Sequence, residues 1–315
     1  MIDTVKFLRS YRMKQSIPPK WKSAWKQEER RIGNSQGKPF TIHIFQHQQT
    51  DLRAEFVGRK TYVQVSLPRL LFKHNGRLIT KQRQIDQAMK AADLLLTQIA
   101  DRRVSIPGTK FVRVDLAWQI KGKIQDFIAA HQPITHPEIH GLPSIWQGES
   151  ILWKGKEMSI LFYDKFAEMR KKRNHLSKIP EKARDIVRIE IRLRGSKLSA
   201  LLGKGKSVTR LDVTACYSVL RQRICAFCTA PTYRATSKLE ICKHAIEEGW
   251  KIGNQSAIEV FLTEYSDASR AKMNKRLQKT RLRANKINWM KELPPQMPSS
   301  LIVKNGCSFS LPDFP

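Results

Sequence analysis

Apolar and polar residues alternate through Phe40-Thr-Ile-His-Ile44 and again through Val63-Gln-Val-Ser-Leu67. A period of two is that of a strand with one buried face, so an antiparallel sheet is expected to begin here. From Ile85 the period changes, and Met89, Ala92, Leu96 and Ile99 recur at steps of four and three. That spacing predicts one amphipathic helix, laid over a face of the sheet. Residues 14 to 38, which include Trp21 and Trp25, have no clean period and read as a basic loop or hairpin.

Three further strands are expected, each apolar on one side and charged or reactive on the other, because successive side chains point to opposite faces. In Phe111-Val-Arg-Val-Asp-Leu116, Val112, Val114 and Leu116 share a face and Arg113 and Asp115 share the other. In Ser159-Ile-Leu-Phe-Tyr-Asp-Lys165, Ile160 and Phe162 oppose Tyr163 and Lys165. In Ile186-Val-Arg-Ile-Glu-Ile-Arg-Leu193, the four apolar residues oppose Arg188, Glu190 and Arg192. If the three strands share a sheet, their polar faces form one surface. After Gly203 the pattern turns helical: Val213, Tyr217, Leu220, Ile224 and Phe227 fall on one helix, and Ser237-x-x-Glu240 and Ser256-x-x-Glu259 look like capping boxes opening two more. The expected architecture is α+β: a domain over residues 1–205 whose antiparallel sheet carries the site under covering helices, then a smaller helical domain over 206–315 with an irregular proline-bearing tail from Leu293.

Charge changes this picture most. The 315 residues hold 58 Lys and Arg against 27 Asp and Glu, a net of +31. Residues 206–315 contribute 18 basic and 9 acidic side chains, leaving 40 and 18 before them, so both expected domains face a polyanionic partner. No apolar run approaches the ~18–20 residues of a spanning helix. The opening Met1-Ile-Asp-Thr-Val-Lys has no sustained apolar core of the secretory kind, and a cytoplasmic location is expected. Five cysteines without framework spacing are expected to be free thiols.

For a basic protein the three polar strand faces suggest phosphodiester chemistry. Cleavage needs a nucleophile, a Lewis acid for developing negative charge, and cations on neighbouring phosphates. Tyr163 is the candidate nucleophile, with Lys165 beside it to favour the phenolate. Asp115 and Glu190 are hard oxygen ligands suited to Mg²⁺ or Mn²⁺. Glu168 either completes that set or orients Lys165. Arg113, Arg188 and Arg192 would grip phosphates. The alternative is a solvated sheet face on which Arg113 pairs with Asp115 and Arg188 with Glu190.

The order of these motifs, Arg-x-Asp, then Tyr-x-Lys-x-x-Glu, then Arg-x-Glu on a strand, resembles the replication-initiating endonucleases of filamentous phages and related plasmid initiators. The Met1-Ile-Asp3 opening, Val63-Gln-Val-Ser-Leu-Pro-Arg-Leu-Leu before His74-Asn75, and Glu149-Ser-Ile-Leu-Trp153 extend the similarity over most of residues 1–205. The resemblance implies a rolling-circle initiator with Tyr163 as nucleophile. Such enzymes nick one strand at an origin, keep the 5′ phosphate on tyrosine, leave a 3′ hydroxyl for a host polymerase working with a helicase, and later rejoin the displaced strand. The part after residue 206 aligns only loosely with that family. A non-catalytic protein that holds single-stranded or origin DNA, and a plasmid-mobilising relaxase, are the rival expectations.

Other signals carry less. His43 and His47, if on one strand, lie about 13 Å apart, too far to share a metal ion, and they read with His136 and His140 as satisfied or exposed histidines. Cys225 and Cys228 sit within a helical period, which weakens a zinc reading with Cys242 and His244. Gly203-Lys-Gly-Lys-Ser207 lacks the first glycine of a phosphate loop, since Ala200 stands there. Between Arg270 and Lys286 there are eight basic residues and no acidic one. A helix there would put Arg270, Lys272, Lys275, Arg276, Lys279, Arg281 and Arg283 against duplex DNA.

Overall fold

The computed structural model describes residues 1–228, apart from 10, 15–16, 34–38, 59, 104–109, 132–135, 140–142, 173–183, 204 and 206, together with residue 293. The capping boxes at Ser237 and Ser256 and the basic segment from Arg270 to Lys286 lie outside the described residues.

Along the chain the elements are β1 (Ile2–Arg9), β2 (Tyr11–Met13), α1 (Pro19–Lys22), β3 (Trp25–Gly33), β4 (Pro39–His47), β5 (Arg53–Val57), β6 (Lys60–Ser66), α2 (Leu67–Phe72), α3 (Gln82–Leu96), β7 (Ala100–Arg103) and β8 (Lys110–Lys121). They continue with α4 (Ile124–His131), β9 (Ser144–Trp146), β10 (Ser150–Lys154), β11 (Met158–Asp164), α5 (Lys165–Lys172), β12 (Ile186–Arg194), α6 (Gly195–Leu202) and α7 (Val213–Cys225), which runs into a short 3-10 turn at Ala226–Cys228. The α+β class expected from the sequence is therefore observed. Among the described residues no helix is long and apolar enough to cross a membrane.

The chain divides into two compact units, and the division falls inside strands β8 and β12. Among the described residues one unit takes Met1–Trp118 and Glu190–Leu220; the other takes Gln119–Ile189 and the residues from Arg221 to Leu293. In the first, the strands run β3-β4-β5-β6-β1-β8 and then the second half of β12. The consecutive pairs from β3 to β8 are antiparallel. Alternation sorts β1 cleanly: Val5 and Phe7 are buried, while Thr4, Lys6 and Leu8 are half-buried on the opposite face. Arg9, on the face of Val5 and Phe7, forms an ion pair with Asp93 of α3, which places α3 over the apolar face. The helix meets it with buried Ile85, Ala88, Ala92 and Leu96. The other face is polar. Arg53 pairs across to Gln64, Gln64 to Lys6 and Lys6 to Arg113, one row over four strands.

In the second unit the order is β12 (first half), β11, β10, β9. Here α4 packs on the apolar face: its Phe127 and His131 meet Phe162 edge-on at ring separations of 6.5 and 5.2 Å. Trp153, wholly buried, lies 5.2 Å from Phe162 and 4.7 Å from Phe227. Burying large rings of this kind contributes ~1.5–3 kcal/mol each, so this cluster holds α4 to the sheet.

Strands β1 and β3 were not anticipated as separate strands. In β1 the buried Asp3 interrupts the apolar alternation. Strand β3 carries Lys26, Glu28, Glu29, Arg30 and Arg31, and exists because β4 pairs with it along its whole length. The described residues of the stretch from 14 to 38 thus include a short helix and a strand paired with β4.

Candidate active site

In the second unit, β11 ends where Asp164 turns the chain. Its Oδ1 accepts a hydrogen bond from the Ala167 backbone N–H at 2.9 Å, the geometry of a helix N-cap. The helix α5 therefore starts at Lys165, which does not continue the strand face of Tyr163 as the alternation implied. The cap still brings the two side chains together: the Lys165 Nζ stands 5.8 Å from the centroid of the Tyr163 ring. Lys165 is only 2% exposed and donates to Glu168 Oε2 at 2.6 Å, one helical turn on. Of the two roles expected for Glu168, the geometry matches the one that orients the lysine. Tyr163 itself is half-buried, on the side of β11 opposite Phe162.

In the first unit, Arg113 and Asp115 of β8 are joined by two parallel contacts, Nε to Oδ1 at 2.7 Å and Nη2 to Oδ2. Asp115 is 2% exposed, so its charge depends on these partners. Arg192 of β12 adds its Nε at 3.4 Å from Asp115 Oδ1. Burial opposes the charge of Arg113. The Asp115 hydrogen bond and the charges of Asp115, Glu190 and Asp3 outweigh it and hold the guanidinium above its ordinary range. Arg194 is pushed the other way, by burial first and then by the like charges of Arg113 and Arg192. Asp3 and Arg194 thus belong to this cluster though neither was anticipated. Arg194 continues the two-residue spacing of 188, 190 and 192, a signal that could have found it.

Arg188, expected on a solvent-facing row with Glu190 and Arg192, is instead fully buried in the second unit, so in this structure it is out of reach of a phosphate in solvent. Alternation along β12 holds from Ile189 onward and fails at its start, where four successive residues are buried. Arg270, Lys272, Lys275, Arg276, Lys279, Arg281 and Arg283 lie outside the described residues.

The described histidines singled out from the sequence have polar partners within the fold, and His140 lies outside the described residues. His43 Nδ1 meets Glu29 at 3.0 Å, His47 Nδ1 meets the Thr50 hydroxyl at 3.1 Å, and His136 sits between the Arg223 carbonyl and the Glu138 N–H. Cys216 and Cys225 are not joined in disulfides, as expected.

Among the described residues no three or more Asp, Glu, His or Cys side chains are grouped so as to hold a metal ion by themselves, and Asp115, Glu190 and Glu168 are not assembled as one set. Mg²⁺ seldom needs such a cage. It is held by one or two carboxylates and completed by water and phosphate oxygens. Asp115 and Glu190, on the neighbouring strands β8 and β12 of one unit and both acting on Arg113, are the carboxylates that could serve in that way. Compared with protein-family models and with curated proteins, the chain matches none.

Proposed function

We propose that this chain is a rolling-circle replication initiator that nicks one DNA strand through Tyr163. The observation that carries the reading is the buried Lys165 ammonium, clamped by Glu168 and standing against the ring of a half-buried tyrosine. In this reading Lys165, held by its salt bridge to Glu168, favours charge on the phenolic oxygen as Tyr163 attacks. The Tyr163 oxygen attacks phosphorus and loses its proton; the bond from phosphorus to the 3′ oxygen breaks and that oxygen takes up a proton. The product is a 5′-phosphotyrosine and a free 3′ hydroxyl. One ester replaces another, so the rejoining reaction is the same step reversed. Asp115 and Glu190 would hold Mg²⁺ or Mn²⁺, and that ion would supply a Lewis acid. Arg192 and the net charge of +31 support a DNA partner.

A second reading, a DNA-binding protein without catalysis, is favoured by one observation: both Asp115 oxygens are already engaged by Arg113, as in a structural ion-pair network. Incubation with Mn²⁺ and a pool of labelled single strands separates the two. The initiator leaves a covalent adduct that survives denaturation and maps to the peptide bearing Tyr163, and Tyr163→Phe binds DNA as the parent does without forming it. Parental cleavage by Tyr163→Phe would refute the assignment, and DNA binding without any adduct would leave the second reading.

A further inference from the structure

Trp146 is 65% exposed, an unusual position for the largest apolar side chain. It closes β9, and the turn after it is fixed. Gln147 and Gly148 both take positive φ, 50° and 66°, and the Glu149 N–H donates to the Trp146 carbonyl at 2.9 Å. The Glu149 carbonyl in turn accepts from the Asp164 N–H at 3.0 Å, tying the turn to the end of β11.

The strand register gives this tryptophan its meaning. Trp146 stands opposite Ser150, and Ser150 stands opposite Tyr163. Residues directly opposite one another on antiparallel strands share a face. Trp146, Ser150 and Tyr163 therefore form one row on the same side of the sheet of the second unit, with Phe162 and α4 on the reverse. Two strand spacings of ~4.8 Å put the backbones of Trp146 and Tyr163 about 10 Å apart, a span of one to two nucleotides of an extended single strand. Lys154, exposed on this face of β10, supplies positive charge along it.

We propose that Trp146 is a stacking platform for a base of single-stranded DNA, seating the nucleotide one or two positions from the phosphate that Tyr163 attacks. The proposal rests on the nicking assignment for its place along the strand, and on the exposed indole, the fixed turn and the shared row for the contact. Stacking on an aromatic ring is sequence-tolerant and needs an unpaired base, so it selects single strands over duplex.

The test is equilibrium binding of an oligothymidylate of about twelve nucleotides, within the usual site size for such contacts, and of a duplex of equal length. Trp146→Ala is expected to weaken oligothymidylate binding by about 5- to 150-fold. Duplex affinity and the salt dependence should stay unchanged, because a base contact releases no counterions. Trp146→Phe, which keeps an aromatic face, restores most of the affinity even if Trp146→Ala melts at a lower temperature. Parental oligothymidylate binding by Trp146→Ala, an equal loss for duplex, or no restoration by Trp146→Phe would overturn the platform. Adduct formation is scored separately. Selective single-strand loss with no adduct in any variant would refute the nicking assignment while leaving the base contact standing.

Discussion

Replacing His131 with phenylalanine should remove a defined part of the pH dependence of folding. His131 is buried on α4, its ring parallel to Phe127 and edge-on to Trp153, Phe162 and Phe227, and its Nδ1 donates to the Phe127 carbonyl at 2.8 Å. Burial pushes the imidazole down from 6.5 to about 4, against a smaller upward pull from that carbonyl. The folded state thus holds the ring neutral over a range in which the unfolded chain protonates it. Stability is fully present above pH ~6.5 and falls as pH drops from there toward about 4. With these two values, the linkage relation gives a loss of ~0.2 kcal/mol at pH 7 and ~2 kcal/mol at pH 5. Urea unfolding of the parent should therefore lose ~1.8 kcal/mol more than His131→Phe between those pH values. The missing hydrogen bond lowers the variant by ~1 kcal/mol at both, and cancels in the comparison. A parallel proton-NMR titration should find the His131 ring neutral at pH 5.5. Identical pH dependence in parent and variant, or a ring titrating near 6.5, would refute the argument.

Asp115→Asn should lower the unfolding free energy by ~2–3 kcal/mol, because it leaves the Arg113 and Arg192 guanidinium groups facing each other with only partial access to water. Under the proposed mechanism it also abolishes the adduct while sparing DNA binding; adduct formation at the parental rate would show that the carboxylate serves the fold alone. Burial pushes the Cys216 thiol up to about 12, so its thiolate is ~1,000-fold scarcer than that of an ordinary cysteine. A disulfide reagent followed by peptide mapping should label Cys225 before Cys216 and reach Cys216 only on unfolding; early labelling of Cys216 would contradict its burial.

Much of this was legible in the sequence wherever one physical period governed a segment. Strand β11 and helix α3 each bury one face, and their apolar residues mark it; β8 departs from the expected faces, with Phe111 buried, Val112 half-buried where the register shifts, and Val114–Trp118 buried without alternation. Lys165 was misplaced because alternation does not announce its own end: the Asp164 cap, a single hydrogen bond, converts strand to helix one residue earlier. Arg188 was misjudged because a charged residue at an alternating position reads as solvent-facing, whereas β12 begins covered on both faces. The highly charged β3 was hidden because its strand character comes from its partner. The row joining Trp146 to Tyr163 could not be read from one segment at all, since it depends on the register of three strands.

The division of the chain inside β8 and β12 bears on how the protein is made. Residues 1–118 leave the ribosome well before Glu190–Leu220, with the 71 residues from Gln119 to Ile189 between them. At 5–20 residues per second that interval lasts roughly 4–14 s. Throughout it, β8 has β1 on one side and no β12 on the other, a raw edge open to pairing with another nascent chain. Residues 1–118 precede the second unit in the chain yet must wait for Gln119–Ile189 to be synthesised before their sheet can close, so slow translation or crowding on one message would expose this protein to aggregation at β8.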